Sequence, residues 1–429
     1  MERVLASELS VHVGMIVNVK GWVYRIRRLK QVCFVVLRDR SGFVQCVLTP
    51  ELEATLDLTH ETVVSIKGQV REGSNAFGNE EIDVISVEIL NPAAPDLPVQ
   101  VNNANVEVNL DTMLEHRVLA LRHPKEAAIF KIQAAIAHAF AGFLSREGFT
   151  EIHSPKLVKE GAEGGSNVFK VEYFGQTAYL AQSPQFYKQM MVISGFERVF
   201  EIGPVFRAEA HSTSRHLNEY ISLDFEMAFI EDEHVLMALE TRLLKSIFHH
   251  LKALYTPVLS LLEVELPHVP DVIPELKLSE AIRILKEEYG KTELDGDLDP
   301  EGEKLISKYI REKTGSEFLF LTHYSQKKRP MYTMPCGAEE TRSFDLLYNG
   351  LEITTGGLRI HHYDLLMKRM MEKGLDPAQY SSYLEAFKYG APPHGGLAIG
   401  LERLTAQLLG FSNVRRTSLF PRDGHRLTP

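Results

Sequence analysis

The hydrophobic pattern of this 429-residue chain changes its period near residue 125, and this change predicts two domains. Before residue 100, apolar residues alternate in short segments such as "MIVNVKGWVYRI", "VCFVVLRDRSGFVQCVL", "TVVSIKGQV" and "EIDVISVEIL", with polar turns between them. About five short strands within about 100 residues are typical of a small barrel of the oligonucleotide-binding (OB) kind.

After residue 125 the apolar residues follow a helical period, and Gly148 can cap the end of that helix. The stripe consists of Ile129, Phe130, Ile132, Ile136, Phe140, Phe143 and Leu144. The next segment, "FTEIHSPKLV", is predicted as a strand with Pro155 at an edge or bulge.

We therefore predict an OB barrel over residues 1–100, a linker rich in proline and asparagine over 101–124, and a larger domain over 125–429. A helical, charge-rich insertion is expected at about 233–312. Strands scattered among long helices, without regular strand–helix alternation, indicate an α+β domain with a mostly antiparallel sheet flanked by helices.

The cysteine content and the apolar pattern indicate the cellular compartment of the protein. Three cysteines without a short pairing fit a reducing compartment and offer no zinc site. The first residues lack an apolar core of signal-peptide length, and no apolar run of 18 residues occurs, so we expect a cytoplasmic protein without a membrane segment.

The formal net charge of −10 argues against bulk electrostatic capture of nucleic acid, but one basic patch stands out. Between residues 20 and 40 a single acid, Asp39, accompanies the basic residues Lys20, Arg25, Arg27, Arg28, Lys30, Arg38 and Arg40. A polyanion is expected to bind there, although a solvated charged face is the plain alternative.

The stretch "FRAEAHSTSRHLNEYISLDFE" predicts two strands and a basic loop. Arg207 and Glu209 share one face of the first strand, and the polar side of "ISLDFE" carries two carboxylates. The loop adds Arg215, His216 and an aromatic residue, Tyr220. Such a surface suits a nucleoside triphosphate, whereas a salt-bridged sheet face is the alternative.

A second hairpin is predicted at "SFDLLYNGLEITTGGLRIHH", because Asn349-Gly350 is a strong two-residue turn. In the resulting register Asp345 and Glu352 lie diagonally on one face, roughly 7–8 Å apart at the backbone. Two carboxylates at that separation can share a divalent metal with a polyphosphate. An exposed hairpin face is the alternative.

Three further cations are weaker signals. The glycines of "HGGLAIGLERLTAQLL" allow a ligand to approach the backbone closely, and Arg403 then falls in the first turn of a helix. Arg359, just past the glycines of the second hairpin, is a candidate carboxylate ligand, whereas Lys188 in "AQSPQFYKQMM" could equally be an ordinary surface lysine. The Gly-Lys-Thr of "YGKTE" is not a phosphate-binding loop, since Leu285 stands where a glycine is needed.

Taken together, these stretches resemble the three signature motifs of class II aminoacyl-tRNA synthetases: the helix and strand ending at Pro155, then 206–226, then 395–404. More narrowly, "AQSPQFYKQ", "AFKYGAPPHGG" and the ending "LFPRDGHRLTP" are similar to aspartyl-tRNA synthetases of the archaeal or eukaryotic type. The resemblance covers essentially the whole chain. It implies an ATP-dependent ligase that uses Mg²⁺, activates aspartate, charges the aspartate tRNA and forms a homodimer.

The resemblance also implies roles for matching residues. The ATP-binding set would be Arg207 on the α-phosphate, Glu209 on the adenine amino group, Arg215 and His216 on the outer phosphates, Tyr220 and Arg403 on the adenine faces, and Glu352; Arg207 and Arg403 would be catalytic. Asp345 and Glu352 would hold the metal. Aspartate would be bound by Glu163, Gln185, Lys188, Asp224 and Arg359, and the anticodon by Arg25, Arg27, Phe34 and Gln45.

The pattern leaves some alternatives open. Tyr24 stands where strict relatives carry tryptophan and relaxed ones histidine, Phe77 matches neither pattern, and "LKQ" at 29–31 replaces a turn with glycine, so charging of the asparagine tRNA is an open alternative. The rival enzyme is an asparaginyl-tRNA synthetase, against which Lys188 beside Arg359 argues, because two cations suit a carboxylate better than an amide. A non-catalytic RNA-binding paralogue would be expected to lack motif residues, and an amidating relative would lack the barrel.

Overall fold

The computed structural model describes residues 2–161, 167–209 and 213–429, and the chain divides into two compact units, Met1–His123 and Pro124–Pro429. Each unit has its own apolar core. Glu163, predicted to contact the substrate, lies outside the described residues.

The first unit is built on a closed barrel of five strands in the order β1-β2-β3-β5-β4. The strands are β1 (Ile16–Arg28), β2 (Cys33–Arg38), β3 (Phe43–Leu48), β4 (Val63–Asn75) and β5 (Gly78–Asn91). Alternate residues such as Val19, Val35 and Cys46 point inward and are fully buried. The period-2 pattern of the sequence thus places one apolar set inside the barrel and leaves the other residues on its exterior.

Short helices complete this unit. A 3-10 helix spans Ala6–His12, α1 spans Pro50–Glu53, α2 spans Leu110–Glu115 and α3 spans Arg117–Ala120. Val99, Val101, Met113 and Ala120 form a small buried cluster. Residues 101–123 of the segment predicted as a linker therefore carry helices and pack within the first unit, because their apolar residues bury one another.

The second unit contains an eight-stranded sheet in the order β12-β13-β16-β17-β18-β11-β10-β6, with a three-stranded sheet β7-β9-β8 and a short pair β14-β15. Its strands are β6 (Thr150–Glu151), β7 (Leu157–Val158), β8 (Lys170–Tyr173), β9 (Gln176–Leu180), β10 (Arg198–Phe206), β11 (Glu219–Ala228), β12 (Glu275–Lys277), β13 (Phe318–Thr322), β14 (Pro335–Cys336), β15 (Glu340–Thr341), β16 (Ser343–Tyr348), β17 (Leu351–Arg359) and β18 (His394–Gly400). The central pairs are antiparallel, and only β12 with β13 and β10 with β6 are parallel in the described part of the large sheet.

Helices cover the large sheet. They are α4 (Pro124–Arg146), α5 (Gln185–Met191), α6 (Glu233–Leu254), α7 (Thr256–Leu262), α8 (Leu278–Tyr289), α9 (Pro300–Thr314), α10 (Tyr363–Glu372), α11 (Ser381–Lys388) and α12 (Leu401–Leu408), with a π-helical turn at Val192–Phe196 and 3-10 turns at Pro377–Tyr380 and Val414–Thr417. α4 and α6 pack in the main core, where Ile132, Phe140 and Leu243 are fully buried against sheet residues such as Phe225.

One helix, α4, is long and apolar enough to cross a membrane by length and composition alone. Its apolar residues, including Ile129, Ile136 and Phe140, are buried in the core of the second unit. A core helix of a globular domain passes the same test, so this finding is weak support for a membrane span.

The predicted helical insertion contains α6 to α9 and the short strand β12. Its helices α8 and α9 bury Leu285 and Ile306 against Leu321 and Leu347 of the sheet. These two sheet residues lie on the face opposite the main core, so the insertion covers one end of that face.

The prediction of one continuous strand over residues 149–158 is wrong. The chain forms only β6 and β7 there, in different sheets, and Pro155 lies between them. Since proline cannot donate a ladder hydrogen bond, the chain leaves the sheet at this point. Ser154 and Lys156 bond instead to the buried Glu201 of β10, at 2.6 Å each.

Candidate active site

A cavity of about 390 Å³ opens on the face of the large sheet opposite the main core. Three antiparallel strands, β11, β18 and β17, form its floor. Leu223 and Phe225 of β11 point into the core, so the intervening Asp224 points to the cavity side, as strand alternation requires.

The cavity brings together every predicted ATP- and aspartate-binding residue that the structure describes. Those lining it are Arg207, Glu209, Arg215, His216, Tyr220, Glu352, Arg403, Gln185, Lys188, Asp224 and Arg359. Asp345 lines an adjoining cavity of about 150 Å³, which also has Glu352 in its wall. Residues separated by more than 200 positions in the sequence therefore converge on one face of the sheet.

The hairpin prediction is confirmed at its turn but not along its whole length. Tyr348 pairs with Leu351 and Leu347 with Glu352, but the register shifts next, and Asp345 pairs with Thr355. This bulge places Glu352 and Thr355 on one side, where the Thr355 hydroxyl donates to Glu352 Oε1 at 3.1 Å. Asp345 and Glu352 consequently still border the same adjoining cavity.

Each member of this acid pair already has a cationic partner. Arg329 donates to Asp345 Oδ1 at 2.6 Å and lies 3.8 Å above the ring of Tyr324. Burial raises the pKa of Asp345 to about 6, against the opposing effect of Arg329. Burial alone would raise the pKa of Glu352 as well, but Arg403 and Arg329 outweigh it and lower that pKa.

At the other end of the cavity, two cations and two acids form a buried cluster. Lys188 donates to Asp224 Oδ1 at 3.0 Å and lies 3.2 Å from Glu226 Oε2. Arg359 donates to Glu226 Oε1 at 2.9 Å. Burial would raise the pKa of Glu226, but Arg359 and Lys188 hold it below its ordinary value. Glu226 therefore fixes both cations beside the cavity.

Two polar atoms of this region point to a ligand. Gln185 Nε2 and Asp224 Oδ2 are buried and have no hydrogen-bond partner in the described ranges 2–161, 167–209 and 213–429. Buried polar groups are normally satisfied, so a buried donor and acceptor at a cavity wall favour a polar ligand that supplies the missing partners.

Gly396 of β18 leaves the space that the buried cluster of two cations and two acids needs. A Cβ on Gly396 would lie 2.1 Å from the carbonyl oxygen of Phe225 and 2.2 Å from Glu226 Oε2. The Gly396 carbonyl also accepts a hydrogen bond from Arg359 at 3.0 Å. The glycines of β18 thus allow side chains of the protein itself to approach the backbone closely.

At the opposite end, residues 215–217 of the basic loop between β10 and β11 line the cavity. Arg403, in the first turn of α12, donates to the Arg215 carbonyl at 3.3 Å and to the Glu352 carbonyl at 3.2 Å. The Arg207 guanidinium lies 5.9 Å from the centre of the Tyr220 ring. Burial and the neighbouring Arg403 lower the pKa of His216.

In the barrel, the four predicted anticodon residues lie on one exterior face of β1, β2 and β3. Arg27 pairs with Phe34, Arg25 pairs with Val36, and Val36 pairs with Gln45 across the strands. Arg25 and Arg27 are exposed, whereas Phe34 and Gln45 are partly buried. The Gln45 amide donates to Glu81 at 2.7 Å.

The sequence did not reveal several residues that shape these sites. Glu226 is an acid that alternates with apolar residues, and this pattern indicated a polar strand face, but its position between two cations depends on residues far away in the sequence. No sequence pattern indicated Arg329. On the barrel, Tyr24 packs against Phe43 with ring centres 4.7 Å apart, and Phe43 lies 5.7 Å from Phe77, which no local pattern indicates.

Comparisons with known proteins agree with this architecture. Residues 109–424 match the family "tRNA synthetases class II (D, K and N)", and residues 17–92 match the "OB-fold nucleic acid binding domain". The chain is 49% identical to the aspartate–tRNA(Asp/Asn) ligase of Thermus thermophilus, covering 100% of both chains. It is 48% identical to the ligase of the same name from Deinococcus radiodurans, covering 100% of this chain and 99% of that one.

Among solved structures, the asparaginyl-tRNA synthetase of Pyrococcus horikoshii with asparaginyl-adenylate superposes with a TM-score of 0.92 at 29% identity, covering 100% of both chains. The predicted fold class, a class II synthetase sheet with an N-terminal OB barrel, is confirmed. The chain belongs to the class II tRNA synthetases and, within them, to the aspartate–tRNA ligase family.

Proposed function

We propose that this protein uses ATP to activate L-aspartate and transfers the aspartyl group to the terminal ribose hydroxyl of tRNA. In the first step an α-carboxylate oxygen attacks the α-phosphorus, the bond to pyrophosphate breaks, and aspartyl-adenylate forms. In the second, the ribose hydroxyl attacks the acyl carbon and AMP leaves. The observation that carries the proposal is the pair of buried cations, Lys188 and Arg359, at one end of a cavity whose other end is lined by Arg207 and Arg403.

The nucleotide would occupy the end bordered by the loop between β10 and β11. Arg207 would bind the α-phosphate and stabilise the negative charge that develops there in the transition state. Glu209 would accept from the adenine amino group, and Tyr220 and Arg403 would contact the two faces of the base. Arg215 and His216 would bind the outer phosphates. Catalysis then consists of positioning and charge stabilisation, without a covalent enzyme intermediate.

Aspartate would lie at the Lys188 end. Its side-chain carboxylate would be bound by Lys188 and Arg359, and its ammonium group by Asp224, whose Oδ2 atom is buried without a partner among described residues. Gln185 Nε2 would donate to the α-carboxylate region. The role implied for Glu163, closing over the ammonium group, rests on the resemblance alone.

The residues present fit a magnesium ion. Mg²⁺ is commonly held by one or two carboxylates together with substrate phosphates and waters. Asp345 and Glu352 supply two carboxylates in one small cavity beside the nucleotide end. No group of three or more His, Cys, Asp or Glu ligands occurs among the described residues, which suits an ion completed by ATP. Bound there, the ion would neutralise phosphate charge.

We propose that the barrel binds the anticodon through Phe34, with Arg25, Arg27 and Gln45 contacting neighbouring nucleotides. We further propose that the tRNAs for aspartate and for asparagine are both charged, since the relatives at 48% and 49% identity are named for both. Charging of purified tRNAs tests this. Charging of the asparagine tRNA at less than about 1% of the aspartate rate would contradict it.

Asparaginyl-tRNA synthetase is the rival from the same fold. ATP–pyrophosphate exchange with each amino acid separates the two activities. We expect exchange with aspartate to exceed exchange with asparagine by about 10²-fold or more, because the paired cations leave an amide poorly matched. Exchange with asparagine alone would overturn the proposal, and exchange with neither would favour a non-catalytic RNA-binding protein.

Two further expectations belong to the same proposal. The protein would act in the cytoplasm, where tRNA charging supports protein synthesis. It would form a homodimer through the region around Pro155, which resembles a dimer-forming motif. Light scattering on the purified chain at micromolar concentration would give twice the monomer mass of 48.5 kDa if this holds, and the monomer mass if it does not.

A further inference from the structure

An acid from the helical insertion reaches the nucleotide end of the cavity. The Arg215 guanidinium donates to Glu303 of α9, and both side chains are largely buried, with 19% and 13% of their surface exposed. Arg215 borders the large cavity, whereas Glu303 borders the adjoining one that Asp345 and Glu352 also line. The ion pair therefore stands on the wall between the two cavities.

The position of Glu303 is fixed by its helix. Asp299 caps the N-terminus of α9 by accepting from the Gly302 amide at 2.7 Å. Lys291 bonds to the capping Asp299 at 2.9 Å, which ties the preceding segment to the start of the helix. Ile306, on the next turn, is fully buried against the sheet. Glu303 thus projects from a well-anchored turn.

The backbone around Arg215 is also anchored. Its carbonyl accepts from Arg403, its amide donates to the Thr213 hydroxyl at 3.2 Å, and the Ser214 carbonyl accepts from the Val414 amide at 2.9 Å. These contacts fix the backbone of Arg215 but not its long side chain. The direction of that side chain therefore depends on the partner of the guanidinium. Within the described residues, that guanidinium forms its ion pair with Glu303.

Two physical consequences follow. A buried carboxylate left without a cation is unfavourable, so Glu303 and Arg215 hold each other in place. An arginine side chain loses considerable rotational freedom when it binds an anion, and a preformed ion pair removes part of that loss beforehand. The pair also screens an incoming polyphosphate from the negative charge of Glu303.

We propose that Glu303 is a positioning residue for ATP, holding Arg215 over the outer-phosphate end of the cavity, so that the helical insertion completes the nucleotide site. This inference rests on the proposed function, because it assumes that Arg215 binds the outer phosphates. It assigns the insertion a role in the activation step beyond covering apolar sheet residues.

The test compares Glu303→Gln with Glu301→Gln in ATP–pyrophosphate exchange. Glu301 lies two residues away in the same first turn, is 72% exposed and pairs with Lys291 instead of Arg215, so it is a matched control. We expect Glu303→Gln to lower kcat/KM for ATP by about 10- to 100-fold, with KM for aspartate within twofold of the wild type. Glu303→Asp should lie between Glu303→Gln and the wild type, and Glu301→Gln should match the wild type.

A double variant decides whether Glu303 acts through Arg215. In the Arg215→Ala background, Glu303→Gln should change kcat/KM for ATP by less than twofold. An undiminished effect there, an equal loss in Glu301→Gln, or wild-type kinetics in Glu303→Gln would each overturn the inference. Urea unfolding of every variant shows whether a loss of activity comes from misfolding. If Glu303→Gln is misfolded, Glu303→Asp takes its place in the comparison with Glu301→Gln.

Failure of the proposed function would look different. If the wild type exchanges pyrophosphate with neither aspartate nor asparagine, the activity proposal fails. Calorimetric titration of the same variants with ATP and Mg²⁺ then tests the Glu303–Arg215 pair by itself, and equal Kd values for the wild type and Glu303→Gln would overturn it.

Discussion

Gly396→Ala should disable the aspartate end of the cavity while sparing the nucleotide end. The added Cβ would lie 2.1 Å from the Phe225 carbonyl oxygen and 2.2 Å from Glu226 Oε2, against about 3.4 Å for an ordinary contact. Strand β18 or the Glu226 side chain must therefore move by about 1 Å. That movement displaces the acid that holds Lys188 and Arg359, together with the carbonyl that accepts from Arg359.

A misplacement of about 1 Å can cost about 10²-fold in rate, which corresponds to about 2.7 kcal/mol of transition-state stabilisation. We expect kcat/KM for aspartate to fall by that factor in ATP–pyrophosphate exchange. Overpacking should also lower the free energy of unfolding by about 1–3 kcal/mol, measured in urea.

Gly400→Ala is the matched control for stability in the same strand. The three atoms nearest to its Cβ belong to the Arg403 side chain and lie at 3.6–3.7 Å, an ordinary contact distance, so the free energy of unfolding should change little. Any kinetic effect of this variant should fall on ATP, because Gly400 lies beside Arg403. A Gly396→Ala enzyme with kcat/KM for aspartate within threefold of the wild type would refute the account of the close approach.

Three other predictions concern separate parts of the protein. Arg207→Ala should abolish pyrophosphate exchange while tRNA binding, measured by filter retention, stays within a few fold; unchanged exchange would refute the phosphate role. Phe34→Ala should lower kcat/KM for tRNA charging by about 10- to 100-fold, the value of one stacked base, with exchange unaffected; equal losses in both assays would contradict it. Burial raises the pKa of Glu240 to about 8 from its ordinary 4.5, so the folded protein binds the extra proton between those values, and its free energy of unfolding should fall as the pH rises through that window. Glu240→Gln should remove up to about 1.4 kcal/mol per pH unit of that slope in urea unfolding at pH 5.5 to 7.5, and parallel curves for both proteins would contradict this.

Local patterns predicted the elements well where burial follows one period. The alternation in β1 to β5 indicated a barrel, and the Asn349-Gly350 turn fixed the pairing of Leu347 with Glu352. The three motif segments also indicated which side chains would converge. These signals are local because a strand face or a two-residue turn is determined by neighbouring residues.

Features that depend on distant partners could not be predicted in this way. The register shift between Leu346 and Leu347 changes the partner of Asp345 from the expected Thr354 to Thr355. No glycine or proline in the sequence indicates this shift. The pairing of Arg215 with Glu303 joins positions 88 apart through packing of the insertion. The predicted strand around Pro155 failed because its residues bond to Glu201, on another strand, instead of extending a ladder.

A crystal structure with a non-hydrolysable aspartyl-adenylate analogue tests the central claim most directly, since it locates both halves of the reaction at once. We expect the phosphate-mimicking group within about 3 Å of the Arg207 guanidinium and the aspartyl side-chain carboxylate within about 3 Å of both Lys188 Nζ and Arg359. An analogue bound outside the cavity over β11, β17 and β18, or inverted within it, would contradict the account.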